Sequence, residues 1–211
     1  GSIQFQPMDT MGGARATGRA GAEAWGGAVD AAMDACSGNT SQPPLGRIVE
    51  AMRYDTRNTG LDIDAIREIS TYWEAVRGQY AAFESGLQAP DSEIYLHEMP
   101  GGQFTNLKEQ ARSMGLAERW HEVAKMYAAV NMMFGDIVKV TPSSKVVGDM
   151  ALMMVSQGLT RGQVEDPAVD VSFPDSVIDM MQGKLGQPTG GFPPAMINKA
   201  LKGAAPNLER P

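Results

Sequence analysis

The 211 residues carry 25 acidic and 18 basic side chains, a formal charge of -7, and this balance leaves no basic stripe able to neutralise a phosphate backbone. Nucleic acid is thereby excluded as an expected partner, and a membrane too, because Gly, Asp or Lys interrupts every apolar run short of the about 20 residues that cross a bilayer. The single cysteine, Cys36, excludes an internal disulfide framework and, with no signal peptide at the start, points to a reducing cytosol.

Gly1-Ser2 has the form of the scar left when a purification tag is removed, which implies a deliberately bounded chain. Residues 3 to 36 are rich in Gly and Ala and read as strand, helix, strand: Ile3 to Gln6 extended, a weak helical stretch, then Val29 to Met33. The helix is poorly specified, since Gly18, Gly21, Gly26 and Gly27 each cost roughly 1 kcal/mol against Ala in a helix interior. Cys36 reads as a small buried apolar residue rather than a reactive thiol. Asp30 and Asp34 lie four apart in a strand followed by a turn, an unconvincing acid-base pair. Ser41-Gln42-Pro43-Pro44 punctuates the chain, and a helix follows through Ile48, Val49 and Met52.

The best helical pattern comes next, with Leu61, Ile66, Ile69, Tyr72, Trp73, Val76 and Tyr80 at spacings of three and four and with Asp62 and Asp64 at the positive end. It predicts a helix over about 62 to 84. Glu93 to His97 reads as a short strand, and Pro100-Gly101-Gly102 as a turn before a helix holding Leu107, Ala111 and Met114 that Gly115 ends. From Ala117 to Phe134 the residues Trp120, Val123, Ala124, Tyr127, Val130, Asn131 and Phe134 share one helical face, with Gly135 as the left-handed stop. Thr141, Ser143 and Ser144 are candidate N-caps of a helix through Val147, Met150, Met153 and Met154. Two shorter helices follow, near Asp175 to Gln182 and Pro194 to Lys202, separated by a Gly190-Gly191 turn.

The fold class is therefore mostly α. Residues 62 to 203 are expected to form the well-ordered helical body, and residues 3 to 30 to be less well packed or to lean on a neighbouring copy. The many methionines, among them Met126, Met132, Met133, Met150, Met153, Met154, Met180 and Met181, interleave with Leu, Val and Ala and read as core. His97 and His121, the only histidines, have no His or Cys partner at metal-ligand spacing and read as structural or surface residues.

Four stretches carry a resemblance: MDACSGNTSQP at 33–43, YLHEMPGGQFTNL at 95–107, FGDIVKVTPSSKVVGD at 134–149 and FPDSV at 173–177. They resemble the pyruvate carboxylase carboxyltransferase region in a bacterial form, and oxaloacetate decarboxylase and transcarboxylase subunits share parts of the pattern. In that family a metal-centred eight-stranded barrel is followed by a helical funnel over its mouth, where carboxybiotin carboxylates pyruvate to oxaloacetate. The resemblance implies that residues 1–40 are a remnant of the last barrel strands and a helix, altered by redesign rather than by natural divergence or an imperfectly known sequence, and that 41–211 are the helical C-terminal region. It implies that Thr141 matches the family's proton-relaying Thr and that Ser144 and Lys145 match its biotin pocket; the cap reading of Thr141 and Ser144 coexists with these roles.

This sequence departs from the family at its start. Where the family has a His-x-His-x-His-Asp-Thr-Ser-Gly run, with the second and third His as metal ligands, this chain has Gln6 and Met8 at the ligand positions. An amide and a thioether are poor substitutes at a hard or borderline divalent ion. The family's metal-binding Asp, carboxylated Lys and pyruvate-holding Arg belong to earlier strands, and two strands cannot close a barrel. Biotin and a divalent metal serve the family, and no cofactor is expected here. The expected function is a fragment of the carboxyltransferase region, not catalytic alone and with at most a weak biotin contact. Two alternatives stay open: an engineered scaffold or interaction module that self-associates into a homo-oligomer through apolar surfaces that a barrel would cover, and one half of a split carboxyltransferase or oxaloacetate decarboxylase.

Overall fold

Among the described residues strands pair only near the start of the chain, and beyond residue 44 those residues form helices and their connections. The structure, a computed structural model, describes residues 3–10, 12, 13, 16, 17, 20, 21, 26–86, 92–204 and 206. It divides into two compact units, Gly1–Ile94 and Tyr95–Pro211. Among the described residues no helix is long and apolar enough to cross a membrane.

In the first unit, β1 (Ile3–Phe5) pairs in parallel with β2 (Gly26–Val29), Gln4 opposite Ala28 and Phe5 opposite Val29. Parallel neighbours need a crossover between them. Residues 16, 17, 20 and 21 of that crossover are helical, and the rest of the expected weak helix, with Arg15, Gly18 and Arg19, lies outside the described residues. Gly21 serves packing: a Cβ there would stand 2.8 Å from the Phe5 ring, so only glycine lets the crossover lie so close to β1. Gly26 and Gly27 belong to the strand, not to the helix. The second strand ends at Val29, short of the expected Met33, because Ala32 turns to bridge Pro44 and Asp34–Cys36 wind into a 3-10 turn.

Helix α1 (Leu45–Ala51) has no side-chain cap of its own, and Asp34 supplies one from a distance, its Oδ1 accepting the Gly46 N–H at 2.8 Å. Helix α2 (Ile63–Arg77) starts at Asp62, whose carboxylate accepts from Asp64 and Ala65 N–H groups, and it tightens into a 3-10 turn over Gly78–Phe83. The expected extent was right; along its apolar stripe Ile66 is buried, whereas Ile69, Tyr72 and Tyr80 are exposed. Residues 62–94 belong to this first compact unit.

The second unit holds the core. Helix α3 (Ile94–His97) replaces the expected strand, and α4 (Gly101–Ser113) begins at the two glycines read as a turn. Helices α5 (Trp120–Met133) and α6 (Ser143–Gln157) pack against each other, with Val123, Tyr127, Val130, Val147, Met150 and Met154 fully buried. Gly148 brings α6 onto α4, where a Cβ would stand 2.9 Å from Leu107. Helix α7 (Arg161–Glu165) was not anticipated, although Thr160 and Gln163 form a complete capping box. Helices α8 (Asp175–Met181) and α9 (Pro194–Ala200) close the unit. Many methionines are core, Met99, Met133, Met150, Met154, Met180 and Met181 among them, whereas Met114 and Met132 are exposed.

Candidate functional site

The residues singled out for chemistry gather on the connection between α5 and α6. Phe134, fully buried, ends α5, and Gly135 follows at φ 96. Asp136 then takes a hydrogen bond from Asn131 Nδ2 at 2.8 Å, and Ile137 returns to the core. Beyond it the chain runs out over the surface: Val138 is 80% exposed, Val140 61%, and Thr141 and Pro142 are exposed as well. Lys139 alone among residues 138–142 turns inward, its side chain 12% exposed and its Nζ 2.7 Å from Glu98 Oε2. The hydrogen bond from Lys139, and then its charge, hold the Glu98 carboxyl below the usual carboxylate range.

Neither Thr141 nor Ser144 caps α6. Pro142 occupies the N-cap position without a side-chain bond, and Ser143 turns back to the loop, its Oγ 2.7 Å from the Val140 carbonyl and 2.8 Å from that of Val138. The Val140 N–H donates to the same Oγ at 3.2 Å. Ser144 is buried at 5% exposure, and its carbonyl accepts the Tyr127 hydroxyl at 3.3 Å. Lys145 is exposed and donates to Asp149 Oδ2 at 2.6 Å, an oxygen that also accepts the Ser176 hydroxyl at 2.7 Å. Of the three expected site residues, Thr141 and Lys145 thus face outward and Ser144 lies beneath them.

Burial raises the Tyr127 phenol well above its ordinary range. The unfolded chain loses that proton near pH 10 and the folded chain keeps it. Above about pH 10 the folded state therefore holds more protons, and stability falls as pH rises. Tyr127→Phe is expected to cost about 1 kcal/mol near neutrality, for the lost hydrogen bond, and to flatten the loss of stability above pH 10. Urea melts at neutral pH and at pH 10.5 check both arms; an unchanged alkaline slope would contradict the buried phenol.

Gln6 and Met8 stand at the positions where the resemblance implies metal ligands. Gln6 is exposed, and Met8 Sδ accepts the Gln42 amide at 3.1 Å. Among the described residues no group of three or more His, Cys, Asp or Glu side chains converges on one point. An amide and a thioether already turned to a hydrogen bond do not fit a divalent ion of that kind. Asp30 accepts from Gln4 at 2.7 Å, so Asp30 and Asp34 have separate structural partners. His97 is buried beside Phe104, its Nδ1 accepting the Met99 N–H at 3.0 Å, while His121 is exposed.

Cys36 corrects its expectation. It is exposed and lines a cavity of about 500 Å³ together with Trp73, Arg77 and Tyr80. A second cavity of about 500 Å³ lies between Val169 and Lys199 near the C-terminal end. Neither takes in Thr141, and no sequence motif marked either of them.

Comparison with known proteins bears on the same residues. Residues 94–211 match the family described as the conserved carboxylase domain. The chain is 49% identical over 183 residues to pyruvate carboxylase of Bacillus subtilis, covering 87% of this chain and 16% of that protein. It is 45% identical over 202 residues to the mitochondrial pyruvate carboxylase of Homo sapiens, covering 95% and 17%. The chain thus spans less than a fifth of these relatives. The solved carboxyl transferase domain of Rhizobium etli pyruvate carboxylase with pyruvate and biocytin superposes at a TM-score of 0.94 and 66% identity, over 100% of this chain and 35% of that one.

Proposed function

Because the chain belongs to the conserved carboxylase domain family, as a piece of the carboxyltransferase region of a pyruvate carboxylase, we propose that it forms the biotin-facing helical wall of that region and is not catalytic alone. In this reading residues 41–211 are the wall, and β1, β2 and their crossover are a remnant of the last barrel strands. The parent reaction moves a carboxyl group from carboxybiotin to pyruvate. Thr141 Oγ1 accepts a proton and returns one, which a hydroxyl does as both donor and acceptor. Lys145, fixed by Asp149, and Ser144, whose backbone Tyr127 holds, border the biotin ring system.

The observation that carries this reading is the outward Thr141 on a loop fastened on both sides. Its exposed valines offer an apolar rim, and among the described residues the Thr141 hydroxyl has no hydrogen-bond partner. Support for a missing half-site comes from Gln6 and Met8, whose donors do not suit the family metal. Without the electrostatic stabilisation of a developing enolate, binding one reactant gives little rate.

A biocytin titration followed by amide NMR, run beside an oxaloacetate decarboxylation assay, tests both parts. Amide shifts confined to residues near 138–145 are expected, with turnover equal to a buffer blank. Shifts elsewhere, or none at millimolar biocytin, would sink the biotin-facing assignment. Turnover that vanishes in Thr141→Ala would instead mean a working site and favour the split-enzyme alternative. A second reading, self-association, is favoured by the exposed Ile69, Tyr72, Tyr80 and Phe83; a concentration-independent monomer mass in solution would remove it.

A further inference from the structure

We infer that the Glu98–Lys139 ion pair is a strut that positions the Thr141 hydroxyl, an inference that rests on the reading of Thr141 as the relay. The pair joins two of the sequence motifs across 41 positions, and neither residue is used by the chemistry proposed above.

Both ends of the strut are unusual. On the loop side, residues 138–142 make no helical or strand ladder, and Lys139 is the one side chain among them that turns inward. Its stem is packed away while its Nζ reaches a carboxylate, a geometry that ties the middle of the loop to the body beneath it. The outward Val138 and Val140 flank the inward Lys139, and the chain turns directly after them at Thr141 and Pro142, so a held Lys139 holds the backbone from which the exposed Thr141 projects. The Ser143 hydroxyl closes the far end of the same segment against the Val138 and Val140 carbonyls.

On the other side, Glu98 stands between His97, 5% exposed, and Met99, 1% exposed. The Met99 N–H to His97 Nδ1 bond closes the backbone around it. Glu98 itself sits at φ 53, a left-handed conformation that a residue with a Cβ adopts at a cost. That conformation persists because the buried neighbours fix it. Glu98 is thus a rigid post rather than a mobile surface acid, even though its own side chain is 60% exposed. A surface ion pair adds little stability. This one is fixed at Glu98 and sequestered at Lys139, so its effect is expected in the order of the loop more than in the stability of the fold.

The test uses the full chain with Glu98→Gln, Lys139→Met and Lys139→Arg variants, read by 15N relaxation. In the parent chain, amides of residues 138–141 are expected to show order parameters of about 0.85, falling below about 0.6 in Glu98→Gln and Lys139→Met. Helices α5 and α6 should keep their values, and Lys139→Arg, which preserves the charge, should restore the loop. Loop order unchanged in both neutral variants would overturn the strut. A loss spreading through α5 and α6, or no rescue by Lys139→Arg, would also overturn it, because the pair would then be a general stabilising contact. Loop order is measured without any turnover, so failure of the strut and failure of Thr141 as a relay are told apart.

Discussion

Phe134→Ala is expected to destabilise the second unit by about 3–5 kcal/mol, a large part of the about 5–15 kcal/mol by which a domain of this kind is folded. Phe134 is fully buried where α5 stops, and its N–H bonds to the Val130 and Asn131 carbonyls fix the ring at the end of that helix. Gly135 follows at once with its Cα against Pro193, where even a Cβ would approach to 3.2 Å. The chain has little room to collapse into the space left by the ring, so most of the cavity cost remains. Met132→Ala, two residues earlier and exposed, serves as the control and should change stability by less than about 0.5 kcal/mol. Urea midpoints for the two variants decide it. A Phe134→Ala cost near that of Met132→Ala would mean that the core is not packed around α5 as described.

The second large effect concerns rate. In a chimera of the Rhizobium etli carboxyl transferase domain carrying residues 41–211 in place of the superposed segment, Thr141→Ala is expected to lower turnover by about 10²–10⁴, the range of a positioned acid-base group. The graft is reasonable because the two chains superpose at a TM-score of 0.94 with 66% identity. Thr141 is exposed, so its truncation should leave the melting curve within about 0.5 kcal/mol of the parent. A rate loss with unchanged stability isolates the hydroxyl. Thr141→Ser, which keeps a hydroxyl, should recover much of the lost rate. A Thr141→Ala chimera as active as its parent would remove Thr141 from the mechanism.

Helices with a sustained apolar period were legible in the sequence. Val123, Tyr127 and Val130 of α5 are buried as their spacing of four and three requires, and Gly135 stops the helix at positive φ. Short elements were not. Ile94 and His97 are buried three apart while Tyr95 and Leu96 are exposed, which is helical spacing. A strand would have buried Ile94 and Leu96 together, and four residues are too few for a period to decide. The stripe on α2 was read correctly as amphipathic, but amphipathicity names a face and not what covers it. At the candidate site, Thr141, Ser144 and Lys145 came from resemblance alone, because a Thr-Pro-Ser-Ser sequence before a helix reads first as a cap. The capping role fell because Pro142 takes the N-cap and Ser143 bonds backward. The Lys139 to Glu98 contact was beyond reach of local pattern, since it joins residues 41 apart in sequence.

The exposure of Cys36 has a practical side. One thiol in 211 residues, open to solvent beside Trp73 and Arg77, makes the chain singly addressable. A maleimide fluorophore attached there reports on the first unit and leaves the Thr141 loop chemically untouched, so probe and candidate site sit in different compact units. The same exposure means that oxidative storage couples two chains through one bond at a known point, and a reductant returns the free thiols.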